Sequence, residues 1–130
     1  MKKKLTILII DAEKNSCEEM QEFLQREGFN ILCAKSAAEG RLKLATKKID
    51  TLILDIYLPD ANGLELVKEF KTKYPKMEVI VISGFGDLNT VIEAMHLGVL
   101  DFLKKPLRQS DLEVALERSQ KPAFHDHLIQ

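Results

Sequence analysis

Four polar residues stand at or just past the ends of apolar runs. Asp11 follows Leu5 to Ile10, Asp55 follows Thr51 to Leu54, Ser83 follows Val79 to Ile82, and Lys105 comes shortly after Leu100 to Leu103. Two carboxylates, a hydroxyl and an ammonium have a definite chemistry if they meet. Neighbouring carboxylates repel one another unless a cation lies between them. Hard oxygen ligands on an open rim suit Mg²⁺, which keeps several waters and binds through one or two carboxylates. A carboxylate can also act as a nucleophile and carry a phosphoryl group as an aspartyl-phosphate. Phosphoryl transfer is mostly positioning and charge neutralisation, which a metal and a lysine supply. Ser83 could then bond a phosphoryl oxygen. Taken singly, these residues have plainer uses: Asp11 as a helix cap, Ser83 with Gly84 as a turn, Lys105 as a solvated surface group.

Whether they meet depends on the elements that carry them. The four runs, with a weaker one at Phe29 to Ala34, lack polar alternation, as parallel strands covered on both faces do. Amphipathic segments lie between them. Cys17, Met20, Phe23 and Leu24 mark one helical stripe, with Gly28 as a stop. Ser36 and Glu39 form a capping-box signal before a stripe of Ala38, Leu42 and Ala45. Leu64, Val67 and Phe70 mark a third. Val91, Ile92 and Met95 mark a fourth, between Asp87 as cap and Gly98 as stop. Ser110 and Glu113 repeat the capping box before Leu112, Ala115, Leu116 and Ser119. Strands alternating with helices predict a single α/β domain: a doubly wound, five-stranded parallel sheet of the flavodoxin-like order 2-1-3-4-5, with five helices. Ligands of such sheets bind beyond the carboxyl ends of the strands, at the switch between strands one and three. That order gathers Asp11, Asp55, Ser83 and Lys105 on one rim. The domain is expected over residues 1–121, with 122–130 as a tail or the start of a linker.

Composition narrows the classes. A chain of 130 residues with 45% hydrophobic and 30% charged residues suits one globular domain. A formal net charge of -1 gives no basic field for nucleic acid and no polybasic membrane patch. The apolar runs are too short to span a bilayer, and no signal-peptide pattern follows Lys2, Lys3 and Lys4. A cytoplasmic protein is expected, without membrane contact or direct nucleic-acid binding. Cys17 and Cys33 form no CxxC pair and are read as core or half-buried thiols. His96 is read as a surface histidine. The pair His125 and His127 has nothing around it to complete a metal site.

The stretch Thr51-Leu-Ile-Leu-Asp55-Ile-Tyr-Leu-Pro59-Asp-Ala-Asn-Gly63, with Ile82-Ser83-Gly84 and Asp101-Phe102-Leu103-Lys104-Lys105-Pro106, resembles the receiver domains of two-component response regulators. The resemblance runs from about Leu5 to Leu116. It implies that Asp55 accepts a phosphoryl group from a sensor histidine kinase or a phosphotransfer protein. It implies that Asp11, Asp55 and the Tyr57 backbone carbonyl hold Mg²⁺, and that Lys105 contacts the phosphoryl group. It further implies a cis bond between Lys105 and Pro106, and a switch made of Ser83 and Phe102. No enzyme activity is expected beyond self-phosphotransfer and slow autodephosphorylation. The face of the fourth helix, fifth strand and fifth helix is the family's usual partner or dimer surface, with Val91, Leu97 and Leu107 as candidates here. The segment from Ser83 to Phe102 looks most like receivers attached to transcription activators or hybrid kinases.

One position departs from the family pattern. Two adjacent acids usually follow the first strand, and here the run is Asp11-Ala12-Glu13. Ala12 offers no oxygen, so Mg²⁺ affinity is expected to be weakened, with Glu13 as a displaced substitute. The rival reading is a degenerate receiver that binds partners without phosphate. A flavin binder of the same fold would need a Gly/Ser/Thr-rich loop after the first strand, where this chain is acidic. An aspartate-nucleophile phosphatase would need an acid where Tyr57 stands.

Overall fold

The computed structural model describes residues 4–119. The expected tail, with His125 and His127, lies outside them. The elements run β1 (Thr6–Ile10), α1 (Lys14–Arg26), β2 (Asn30–Ala34), α2 (Ala37–Thr46), β3 (Thr51–Asp55), β4 (Tyr57–Leu58), β5 (Ala61–Asn62), α3 (Gly63–Lys73), β6 (Glu78–Ser83), α4 (Leu88–His96), β7 (Asp101–Lys104) and α5 (Gln109–Ser119). Strands β2-β1-β3-β6-β7 form one parallel sheet, the expected 2-1-3-4-5 order once the small antiparallel pair β4-β5 is set aside. That pair is not foreseen by the sequence pattern.

The unbroken apolar strands feed a core on each face of the sheet. Leu8, Ile10, Leu52, Leu54, Val79 and Val81 face α2, α3 and α4, where Leu44, Leu66, Val67, Phe70 and Ala94 meet them. Ile7, Ile9, Ile53, Ile80 and Ile82 face α1 and α5, packing on Cys17, Met20, Phe23, Leu24, Leu112, Ala115 and Leu116. Alternate residues of each strand thus serve opposite cores, which is why neither face could be polar. Gly28 and Gly98 end their segments with φ of 96° and 90°, a region that a Cβ disfavours.

Two stripes differ from expectation. In α2 the buried residues are Ala37, Gly40 and Leu44, while Ala38, Leu42 and Ala45 are exposed. The helix turns Gly40 to the sheet, where a Cβ would lie 2.4 Å from Ile10 Cδ1, so the glycine lets α2 approach β1 with Ile10 in its present rotamer. In α4 only Ala94 is buried; Ile92 and Met95 are exposed, together with Leu88. Val91, Leu97 and Leu107 are partly buried, the last two against the cores, and are poorer candidates for a docking surface than those three.

The caps divide as well. Ser36 Oγ accepts from the Glu39 amide at 3.1 Å, and Glu39 reaches back to the Lys35 amide at 3.2 Å. Asp87 accepts from the Thr90 amide at 2.7 Å. The second capping box does not form. Helix α5 begins at Gln109, which puts Ser110 inside its first turn, and the Arg108 carbonyl accepts from Asp111 and Leu112.

Candidate functional site

Asp55 is the last residue of β3 and Ser83 the last of β6, and Asp55 pairs with Ile82 across the ladder. Asp11 follows β1 directly, beside β3 in the sheet. Lys105 follows β7, tied in by its amide to the Ser83 carbonyl at 2.7 Å, and its bond to Pro106 is cis. Four strand ends separated by up to ninety-odd residues therefore come to one rim, as the strand order requires.

Lys105 is the centre of the cluster. Its Nζ lies 2.8 Å from Asp55 Oδ2, 2.9 Å from Asp11 Oδ2 and 4.0 Å from Glu13 Oε2. Asp11 is fully buried. Its Oδ1 accepts from the Glu13 amide at 2.9 Å, while Oδ2 receives no aligned hydrogen bond and faces the ammonium. Asp55 Oδ1 accepts from the Tyr57 amide at 3.0 Å, which leaves Oδ2 for the lysine. Burial pushes the Asp55 carboxyl above its ordinary value, and the Asp11 charge adds to this. The bonds from Lys105 and Tyr57 oppose the rise without cancelling it. Burial acts to lower Lys105, but its hydrogen bond to Asp55 and the facing Asp11 carboxylate outweigh that and hold it above the ordinary lysine value. The ammonium is thus locked in its charged form between two carboxylates.

The donor set fits a hard cation in part. Asp11 Oδ2 is a buried carboxylate oxygen without an aligned donor, and Asp55 Oδ2 shares its cation with it. Glu13 is exposed and reaches only the edge of the cluster. Ala12 contributes nothing. Among the described residues no group of three His, Cys, Asp or Glu side chains is arranged to hold a metal ion. Two carboxylates suit Mg²⁺, which tolerates few protein ligands, better than a cation that requires a full cage.

Ser83 and Phe102 both border the loop that carries Phe85 and Gly86. Ser83 is buried, and its hydroxyl donates to the Phe85 carbonyl and accepts from the Phe85 amide at 2.9 Å. The Phe85 ring meets the Tyr57 ring edge-on at 5.7 Å. Phe102 is half-buried beside the same loop: a Cβ on Gly86 would lie 3.6 Å from its ring. Phe85 and Asp60 are missed by the sequence pattern. Asp60, at the tip of the β4-β5 hairpin, accepts from the amides of Ala37 at 3.0 Å and Ala38 at 3.2 Å, so the segment after Asp55 is pinned to the start of α2. Nothing local in Pro59-Asp60 beyond a turn signal marks a cap for a helix more than twenty residues upstream. His96 stands in the last turn of α4, exposed and apart from this site.

No helix among the described residues is long and apolar enough to cross a membrane. The family described as the response regulator receiver domain matches residues 7–117. A putative response regulator NtrX-like protein of Rickettsia bellii is 33% identical over 117 residues, covering 88% of this chain and 24% of the relative. The transcriptional regulatory protein ZraR of Escherichia coli O157:H7 is 28% identical over 125 residues, covering 96% and 28%. The chain thus spans about a quarter of the length of these relatives. The crystal structure of a response regulator receiver domain protein from Clostridium thermocellum superposes with a TM-score of 0.83 at 31% identity, over 97% of this chain and 99% of that one. With the sheet order, the rim of Asp11, Asp55, Ser83 and Lys105 and the match over most of its length, the chain belongs to the response regulator receiver domain family.

Proposed function

We propose that this chain is a working phospho-acceptor switch, with Asp55 receiving the phosphoryl group from a sensor histidine kinase or a phosphotransfer protein. The observation that carries this reading is the ammonium of Lys105 bridging Asp55 and Asp11 at the carboxyl rim of the sheet. An Asp55 oxygen forms the bond to phosphorus as the bond from phosphorus to the donor's imidazole nitrogen breaks. Lys105 would follow the new negative charge. Asp11, Asp55 and the Tyr57 carbonyl, with Glu13 at the margin, would hold Mg²⁺, which when bound neutralises charge on the transferring group. Ser83 would then exchange its bonds to Phe85 for one to a phosphoryl oxygen. The loop from Gly84 to Gly86 would move with it, and Phe102 beside that loop would change rotamer. The change would reach the face of α4, β7 and α5, which we read as the surface for an output module or a homodimer, with transcriptional output suggested by the ZraR likeness. We place the chain in the cytoplasm, acting through protein partners rather than by binding nucleic acid itself, and without turnover on an external substrate.

Ala12 favours one second reading, a receiver that binds its partners without phosphate. Intact-mass spectrometry after incubation with a small phosphodonor separates the two. The switch reading expects one phosphoryl adduct that depends on Mg²⁺ and disappears in Asp55→Asn. No adduct at any metal concentration, from the phosphodonor or a cognate kinase, would leave the phosphate-independent reading.

A further inference from the structure

Cys17 and Cys33 lie 16 residues apart in the chain, on α1 and on the edge strand β2. The packing of α1 on β2 brings them together on that face of the sheet. The Cys33 side chain lies against Cys17 and Gln21 of that helix. Cys33 Sγ lies 3.9 Å from the Cys17 carbonyl oxygen and 3.5 Å from Gln21 Oε1. Both are free thiols, and they are the only two cysteines of the chain.

Their burial differs in a way that fits them to successive steps. Cys17 is buried among the residues packed on Ile7 and Ile9, whereas Cys33 is half-buried on the edge strand. We propose that Cys17 and Cys33 are a peroxide-responsive dithiol, with Cys33 as the reacting sulfur and Cys17 as the resolving one. The contact with Cys17 also draws the Cys33 thiol below its ordinary value, which favours the nucleophilic form.

The chemistry balances with a hydroperoxide as oxidant. Cys33 loses its proton and its sulfur attacks one peroxide oxygen. The O–O bond breaks, and the departing oxygen takes up the proton as water (an alcohol for an organic hydroperoxide), leaving a sulfenic acid. Cys17 sulfur then attacks Cys33 sulfur, the S–O bond breaks, and the sulfenic oxygen leaves as water with the proton from Cys17. Two thiols are oxidised by two electrons, and one peroxide is reduced.

The bridge would bear on the loop that carries Asp11. The Cys17 amide donates to the Glu13 carbonyl at 3.1 Å, and Ala34, next to Cys33, accepts from the Asp11 amide at 3.0 Å. A covalent tie between α1 and β2 would fix both backbone supports of residues 11–13. Neither the sequence separation nor a CxxC spacing marks the pair, since only the crossing of α1 over β2 creates it.

The test treats the full chain with a small excess of hydrogen peroxide and reads intact mass without reductant, then again after dithiothreitol. The expected result is a monomer lighter by two hydrogens, restored by dithiothreitol. Cys17→Ala, confirmed folded by thermal melting, should instead trap a dimedone-reactive sulfenic acid on Cys33. Cys33→Ser should stay unmodified at the same dose. A wild type that keeps its mass, gains only oxygen atoms, or links only between molecules would overturn the proposal. So would a Cys33→Ser chain that is oxidised as fast as the wild type.

Discussion

Lys105 Nζ sits 2.8 Å from Asp55 Oδ2, with the lysine side chain 14% exposed. The same ammonium neutralises buried Asp11 at 2.9 Å, so removing it leaves two facing carboxylates with no protein cation between them. Breaking a buried pair from one side costs more than the pair contributes, because the remaining charge is stranded. Lys105→Met should therefore destabilise the fold by about 3 kcal/mol in urea melts without divalent metal. Mg²⁺ should recover part of that loss. Asp55→Asn should be much milder. Burial already disfavours its charge, so removing the charge should cost no more than about 1 kcal/mol. A raised carboxyl also binds its proton more readily in the folded chain. The contribution of Asp55 to stability therefore falls as pH rises through the ordinary carboxylate range, and the variant should lose that slope.

Asp60 makes a different pH prediction. The amides of Ala37 and Ala38 hold its carboxyl below the usual carboxylate range. A depressed carboxyl adds stability that is present above its unfolded value and is lost as pH falls through its folded one. Asp60→Ala should lower the melting temperature at neutral pH. The gap from the wild type should close as pH drops below about 4, where the unfolded carboxyl takes up its proton. Melting curves from pH 2 to 7 on both chains check this. An equal gap at all pH values would mean that Asp60 acts only through turn geometry.

The sequence made some of these relationships legible and hid others. Asp11, Asp55, Ser83 and Lys105 could be placed because each ends or follows a strand, and the parallel order alone carries strand ends to one rim. The cap of Ser36 by Glu39 could be read because it is local. The α2 stripe is misread from Ala38, Leu42 and Ala45, since hydrophobic spacing counts a leucine as buried and a glycine as a breaker. Here close approach to Ile10 selects Gly40, and Leu42 is left 68% exposed. Asp60 and the Cys17–Cys33 contact are hidden for one physical reason: each joins residues from elements whose contact exists only after the chain has folded.

Two glycines test close approach directly. A Cβ on Gly40 would come within 2.4 Å of Ile10 Cδ1, the end of a side chain that can rotate. A Cβ on Gly63 would lie 2.1 Å from the Ile56 carbonyl oxygen and 2.5 Å from its Cα, which are backbone atoms fixed between Asp55 and Tyr57. Gly40→Ala should cost about 1 kcal/mol, and Gly63→Ala about 3 kcal/mol or more, the range expected for overpacking with and without relief. Gly63→Ala should also slow phosphoryl uptake in chains that remain folded, because the strain falls on the segment that carries Asp55 and Tyr57. Denaturant melts give the first comparison, and adduct formation timed by mass spectrometry gives the second.

Ala12 sits exposed beside buried Asp11, so an added carboxylate there would meet solvent rather than core. Ala12→Asp would add an acid next to Asp11, on the rim that we propose holds Mg²⁺. A further carboxylate raises Mg²⁺ affinity through added ligand charge, by about tenfold on a site with only two carboxylates. It also adds repulsion to Asp11 and Asp55, so without metal the variant should be less stable than the wild type. The two effects have opposite signs, and isothermal titration and thermal melting read them separately. Tighter Mg²⁺ binding with a lower metal-free melting temperature would show that Ala12 trades metal affinity for stability. Unchanged affinity would mean that Glu13, 4.0 Å from Lys105 at its nearest, already fills the place of the missing acid.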